Sequence, residues 1–106
     1  MRKITLRKWK SINSENKEVE ESTIDMISVL IDLSHKEKPL NGFEQFQIFS
    51  RLNKSLEEAK KNNIIVLEEQ DYKFLKEAVE KHVPATWALN RSLNEAVNEL
   101  MNAKEE

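Results

Sequence analysis

Apolar residues recur every three or four positions through most of the chain, which predicts amphipathic helices. Ser22 suits the N-cap of a first helix, which we expect to reach about Ser34. A second helix should follow an N-cap at Asn41 and stop at residues 62–63, because asparagine tolerates the left-handed backbone of a helix end. The longest apolar stripe lies on this second helix and is expected to be the spine of the core. Its members are Phe43, Phe46, Phe49, Leu52, Leu56 and Ala59.

Two more helices are predicted in the C-terminal half. The third should cover residues 70–81, with acidic residues at its start, where the helix dipole favours negative charge. Pro84 cannot continue a helix, so it closes this one. The fourth should begin after an N-cap at Asn90, and the terminal residues 102–106 are expected to fray.

Two short segments have the features of β-strands. Residues 3–8 alternate loosely, with Ile4 and Leu6 on one face that is expected to be buried, and residues 64–67 form a largely β-branched run that is too short for a helix. The polar stretch 11–21 is predicted to be a loop. An isolated strand leaves its backbone groups unpaired, so we expect the two strands to pair. Such a ribbon needs helices or a second copy packed on it, which also predicts a homodimer.

The bulk composition narrows the fold and the location. With 106 residues, the chain fits a single domain spanning 1–106, and one glycine and two prolines favour long helices. The predicted fold class is α+β, predominantly helical, with about four helices and a short two-stranded ribbon. The absence of cysteine excludes disulfides and thiolate metal sites and fits a reducing cytosol. No apolar run is long enough to span a membrane, so we expect a cytoplasmic protein without a membrane partner.

No catalytic pattern stands out. His35 and His82 each lie beside lysine at a predicted helix end, where a ligand or base role competes with the simpler interpretation of a solvated, dipole-stabilised residue. The glutamates alternate with lysines at helical spacing, which is typical of a solvated face. With Gly42 as its one glycine, the chain cannot form the usual phosphate-binding loops. We therefore predict no enzymatic activity, no cofactor and no metal site.

The N-terminal ten residues carry five cations and no acidic residue, with Trp9 among them. One interpretation is a nucleic-acid contact, with cations on phosphates and Trp9 stacked on a base. The other is an edge strand whose charges oppose aggregation, with the acidic residues of 15–21 neutralising it. Nucleic-acid binding, by an accessory protein or transcriptional regulator, is therefore the alternative function. Its candidate residues are Arg2, Lys3, Arg7, Lys8 and Lys10.

Apolar residues outside the helical stripes are candidates for protein contacts. Trp87 lies in an apolar link between the third and fourth predicted helices, where it could anchor an interface or cover the core. The N-terminal strand contributes Ile4, Leu6 and Trp9 as further candidate interaction residues.

Residues 65–76, IVLEEQDYKFLK, combine an apolar strand, an acidic turn and an aromatic residue that opens a helix. Trp87 and the helix cap Asn90 follow. Over residues 64–101 this order resembles small uncharacterised proteins of tailed phages and prophages. The resemblance implies a phage context, with the host cytoplasm as location, and supplies no catalytic residue. The expected function is a non-enzymatic, self-associating interaction module that acts as an assembly or host-interaction factor.

Overall fold

The computed structural model describes residues 1–12 and 14–105. This part of the chain forms four α-helices and four short strands, so the α+β, predominantly helical fold is confirmed. In chain order the elements are β1 (Arg2–Thr5), β2 (Lys8–Ile12), β3 (Glu18–Ser22), α1 (Thr23–Glu37), α2 (Phe43–Asn62), β4 (Ile64–Leu67), α3 (Glu69–His82), a 3₁₀ turn (Ala85–Leu89) and α4 (Arg91–Met101).

The predicted ribbon forms within one chain. β1 and β4 are antiparallel, with Arg2 opposite Leu67 and Thr5 opposite Ile64. The strand ends at Thr5 rather than at residue 8, and the next residue donates its backbone N–H to the Asn63 carbonyl at 2.9 Å. Because α2 packs against β4 and α4 against β1, the chain's own helices supply the cover that the ribbon needs. The ribbon therefore gives no reason for a second copy.

The prediction of a loop over residues 11–21 is wrong. β2 and β3 form an antiparallel hairpin in which Lys8 lies opposite Ser22 and Ile12 opposite Glu18. The charges that suggested a loop form its solvent face, where Lys10 lies opposite Glu20. Opposite charges on facing strands stabilise the pairing, and such a strand needs few apolar residues.

The first helix begins as predicted. The Ser22 hydroxyl accepts the Ile24 backbone N–H at 3.2 Å, and the Asp25 carboxylate accepts the Ser22 N–H at 2.8 Å, which is a complete capping box. The helix ends at Glu37, three residues beyond the predicted end at Ser34. The end of α1 is therefore set by Pro39, because the residue before a proline disfavours the helical backbone, and nothing at Ser34 ends the helix.

The other helix ends are partly as predicted. Asn63 closes α2 in the left-handed region with φ 60°, and the Asn90 side chain accepts the Leu93 N–H at the start of α4. The prediction of Asn41 as the cap of α2 is wrong, because Gly42 occupies that position with φ 103° and makes no side-chain cap. Glycine adopts this backbone conformation without strain.

The core lies where α1, α2, α3 and α4 meet the buried face of the β1–β4 ribbon. On α2 the buried residues are Ile48, Leu52 and Ala59, whereas Phe43 and Phe46 are exposed, so the prediction that both belong to the core is wrong. A helix turns about 100° per residue, and steps of three residues therefore rotate a stripe steadily around it. Phe43 lies nine residues before Leu52, so the two side chains point in opposite directions.

The C-terminal residues contact the N-terminal strand. The Arg2 guanidinium donates to the Ala103 carbonyl, and Arg2 forms an isolated β-bridge with Glu105. Tyr72 reaches the same end of α4 and donates its hydroxyl to the Leu100 carbonyl at 2.8 Å. The segment that we expected to fray is therefore held at these points. In the described part of the chain, none of the helices has the length and apolar character of a membrane span.

Candidate interaction site

Three of the four candidate interaction residues are core residues. Ile4, Leu6 and Trp9 are all buried and belong to the main hydrophobic cluster. Ile4 lies on β1, Leu6 lies between the two strands and Trp9 lies on β2. All three pack into the core, so they present no apolar face to a partner. The structure thus corrects the expectation that these residues form a contact surface. The Trp9 Nε1 donor is buried without a hydrogen-bond partner.

Arg2 contacts both Glu69 and Tyr72 of α3. Its Nε donates to Glu69 Oε1 at 2.7 Å, and its guanidinium lies 4.5 Å from the centre of the Tyr72 ring. The hydrogen bond with Glu69 raises the pKa of Arg2 and lowers the pKa of that carboxyl. Arg2 therefore joins β1 to the start of α3 and is not a free phosphate ligand.

The other basic residues are also dispersed. Arg7 donates to Glu99 and, at 2.9 Å, to Glu95, so α4 neutralises it, and the hydrogen bond with Glu99 raises its pKa. Lys10 forms a 3.2 Å ion pair with Glu18 across the hairpin. Lys3 and Lys8 are exposed. Three of the five cations, Arg2, Arg7 and Lys10, are thus paired with carboxylates of this chain.

The fourth candidate, Trp87, does lie at the surface. It is half-buried in the 3₁₀ turn and lines a groove of about 220 Å³ between this turn and α4. Val83, Pro84 and Val97 are further apolar members of the groove, and Asn94 and Asn98 are polar ones. No charged side chain lines it. Leu89, at the end of the same turn, is 89% exposed.

Sequence reasoning missed the most prominent apolar surface, which is at the start of α2. The Phe43 and Phe46 side chains are 71% and 64% exposed, and their rings stack with centroids 5.9 Å apart and planes at 12°. We call this pair the aromatic ridge. The signal that could have revealed it is the three-residue spacing, which turns the stripe away from the core.

The arc of α2 that carries the aromatic ridge has no charged residue before Lys54. Gln47, Ser50 and Asn53 lie within this arc and are exposed. Glu44 is exposed too, but it lies about 100° around the helix from Phe43, outside the arc. We call the five residues Phe43, Phe46, Gln47, Ser50 and Asn53 the uncharged α2 face.

A larger cleft of about 490 Å³ lies between the C-terminal ends of α1 and α3 and the start of α2. Its charges largely cancel: Lys81 donates to Glu77 at 2.5 Å, which lowers the pKa of that carboxyl, and His82 Nδ1 lies 3.5 Å from the Glu37 carboxylate. Ser34 donates its hydroxyl to the Leu30 carbonyl. This serine is therefore not held by His82 as a nucleophile would be by its base.

His35 accepts the Leu40 backbone N–H at 3.0 Å and so supports the turn that precedes α2. His35 is also exposed in the last turn of α1, as the simpler interpretation predicted. Among the residues that the structure describes, no three histidine or carboxylate side chains are grouped as a metal site would require.

Comparison with known proteins gives no further guidance on these surfaces. No family model, no curated protein and no solved structure matches this chain.

Proposed function

We propose that the protein is a non-enzymatic interaction module that self-associates through the uncharged α2 face. The observation that carries this proposal is the aromatic ridge, two stacked phenylalanines that are both more than half exposed. Exposed aromatic pairs of this kind are costly in water, and they are typical of interface centres. Phenylalanines that packed in the core would lie on the same side of α2 as the buried Leu52.

A second copy is the occupant that this face fits best. A two-fold contact brings the same surface together with itself, so any charge on it would meet its own sign. The uncharged α2 face avoids this repulsion over residues 43–53. Two copies of α2 that cross antiparallel near Phe46 would pack aromatic rings against each other and against Gln47 and Ser50, with Lys54 outside the centre.

Two arguments support a role in assembly or host interaction. An apolar surface through which copies of a small chain bind each other suits a protein that holds an assembly together. In the larger cleft, the Ser34 hydroxyl donates to the Leu30 carbonyl, so His82 does not act on it as a base. The resemblance of residues 64–101 to phage and prophage proteins adds the setting, the cytoplasm of an infected host. Genes for capsid or tail parts beside this gene would support assembly, and replication or repressor genes would oppose it.

The proposed self-contact is testable by sedimentation velocity over a concentration series up to the millimolar range. We expect the wild type to associate, and a Phe43→Ser/Phe46→Ser double variant to associate about tenfold or more weakly, because two buried aromatic rings are lost per chain. The control is Ile12→Ser, which removes a side chain that is 68% exposed on the hairpin. A strictly monomeric wild type would refute the proposal.

A cross-linking experiment locates the contact. The chain has no cysteine, so a single introduced thiol reports on one position. We expect Ser50→Cys, on the uncharged α2 face, to form dimers with a short bismaleimide, and Ser28→Cys, exposed on α1, to form none above background. Equal cross-linking of both variants would mean that the contact lies elsewhere.

A further inference from the structure

The segment that joins α3 to α4 is the longest uncharged run of the chain. Residues 83–90, VPATWALN, contain eight consecutive residues without an acidic or basic side chain. Five of them form the 3₁₀ turn Ala85–Leu89. Leu89 is more exposed than any other large apolar side chain in the described part of the chain. Leu89 lies next to the uncharged groove that Trp87 lines, which we call the Trp87 groove. This leucine and this groove are suited to be the two halves of one protein contact.

The two parts cannot meet within one chain. Trp87 N–H donates to the Pro84 carbonyl at 2.9 Å, and Asn90 N–H donates to the Trp87 carbonyl at 3.0 Å, which fixes the turn on both sides of Leu89. Trp87 is directed to the groove, whereas Leu89, two residues later, is directed to solvent. The leucine therefore remains available for contact with another molecule.

We infer that Leu89 of one copy enters the Trp87 groove of a second copy, and that the second copy returns the contact through its own Leu89. Leu89 directly follows Ala88, which lines the groove, so the leucine and the groove are adjacent and can both take part in one two-fold contact. No charged side chain lines the groove, so it suits an apolar side chain. The first charged residue after the turn is Arg91, which forms a 3.2 Å ion pair with Glu95. It therefore places no unpaired charge where a second copy would approach the groove.

The size of the groove fits this occupant. Apolar cavities of roughly 150 Å³ hold a molecule as large as benzene. At about 220 Å³, the Trp87 groove has room for the branched end of a leucine side chain. The contact is small, however, and small interfaces are weak. Association through the groove alone is therefore expected only at high protein concentration.

This contact shares no residue with the uncharged α2 face and does not rest on it. A chain with two separate self-contacts binds two other copies, and assembly then continues past the dimer. The inference thus predicts species larger than dimers in the wild type. It also predicts that loss of either contact leaves dimers, and that loss of both leaves monomers.

Two single substitutions test the contact from opposite sides. Leu89→Ser removes the inserted side chain, and Ala85→Arg places a long charged side chain at the rim of the groove. Both positions are exposed, so neither variant should unfold the protein, which circular dichroism verifies. We expect each to lower the association constant of the Phe43→Ser/Phe46→Ser background about tenfold or more in sedimentation equilibrium. Ile12→Ser in the same background should change nothing.

Tryptophan fluorescence provides a local readout. Trp9 is buried and contributes a constant background, so changes in quenching by acrylamide report on Trp87. Quenching in the Phe43→Ser/Phe46→Ser background should fall as protein concentration rises, and it should be independent of concentration after Leu89→Ser.

The outcomes separate the two contacts. If the Phe43→Ser/Phe46→Ser variant is a monomer at every concentration, the Leu89 contact is refuted and the α2 contact stands. If that variant associates as strongly as the wild type, and Leu89→Ser abolishes association, the α2 contact is refuted instead. Unchanged association after both Leu89→Ser and Ala85→Arg also overturns this inference.

Discussion

Arg51 on α2 holds the carboxylate of Asp71 on α3, with Nη2 donating to Oδ1 at 2.8 Å and Nε donating to Oδ2 at 3.0 Å. Asp71 is 2% exposed, and the Arg51 side chain is 33% exposed. Nearby, the rings of Phe49 and Phe74 meet edge to face at 5.5 Å. These two contacts fix the rotation of α2 about its axis, and so determine that the aromatic ridge points outward.

Removing the arginine should therefore be costly. In Arg51→Met, the buried Asp71 carboxylate loses its partner, and we expect the free energy of unfolding to fall by about 2–3 kcal/mol. This is below the full cost of an unpaired buried charge, because water can enter where Arg51 is exposed. Urea denaturation measures the change. Arg91→Met, which breaks an exposed pair with Glu95, is the control and should cost under about 0.5 kcal/mol.

Local sequence signals predicted the helices well because helix ends depend on near neighbours. The Ser22 capping box, the left-handed Asn63 and the Asn90 cap all form within a few residues. The β1–β4 pairing was also predictable, since two apolar strands in a small chain need each other. The β2–β3 hairpin was not, because its strands carry cross-strand charge pairs such as Lys10 with Glu18, and a pairing partner cannot be identified from one strand alone.

The candidate site was harder to predict than the fold. Which side of α2 faces inward depends on contacts with α3 and β4, and the apolar stripe of α2 winds around the helix, so its two ends cannot both be buried. Ile4 and Leu6 were predicted to lie on a buried face of the strand, and this is confirmed. They and Trp9 were wrongly expected to contact a partner, because the elements that cover them lie far along the sequence. Trp87 as an interaction residue stays a prediction: its side chain packs partly against the core and also lines the surface groove beside α4.

The two ends of the α2 stripe should differ sharply in their effect on stability. Leu52 is 2% exposed, and Leu52→Ala should lower the free energy of unfolding by about 2–5 kcal/mol through lost burial and a residual cavity. Phe43→Ser should change it by under about 0.5 kcal/mol. Both values come from urea denaturation at low protein concentration, where self-association does not contribute. A cost above about 2 kcal/mol for Phe43→Ser would mean that this ring is buried.

The Arg2–Glu69 pair predicts a specific dependence on pH. Its hydrogen bond lowers the pKa of Glu69 below the ordinary value of 4.5 that the unfolded chain retains. The unfolded state therefore takes up this proton first as the solution is acidified. The stability that the pair contributes is fully present above about pH 4.5 and is lost as the pH falls through the lower, folded-state pKa.

Arg2→Met should return the pKa of Glu69 towards its ordinary value, because the hydrogen bond is the largest cause of the shift. NMR titration of the Glu69 side-chain carboxyl measures this directly. Lys81→Met is the matched control, since it should raise the pKa of Glu77 in the same way and leave Glu69 unchanged. An unchanged Glu69 pKa in Arg2→Met would show that the N-terminal strand is not anchored to α3 through this pair.

A substitution in the turn of the β2–β3 hairpin tests whether this hairpin, which the sequence did not predict, forms in solution. Asn16 has φ 62°, in the left-handed region that asparagine tolerates and that alanine adopts only with strain. Asn16→Ala should therefore destabilise the hairpin by about 1 kcal/mol, and Asn16→Gly should not. Hydrogen exchange of the β2 and β3 backbone amides should quicken about fivefold in the alanine variant, while the amides of α3 keep their wild-type rates. Equal exchange in both variants would indicate that residues 11–21 form no hairpin in solution.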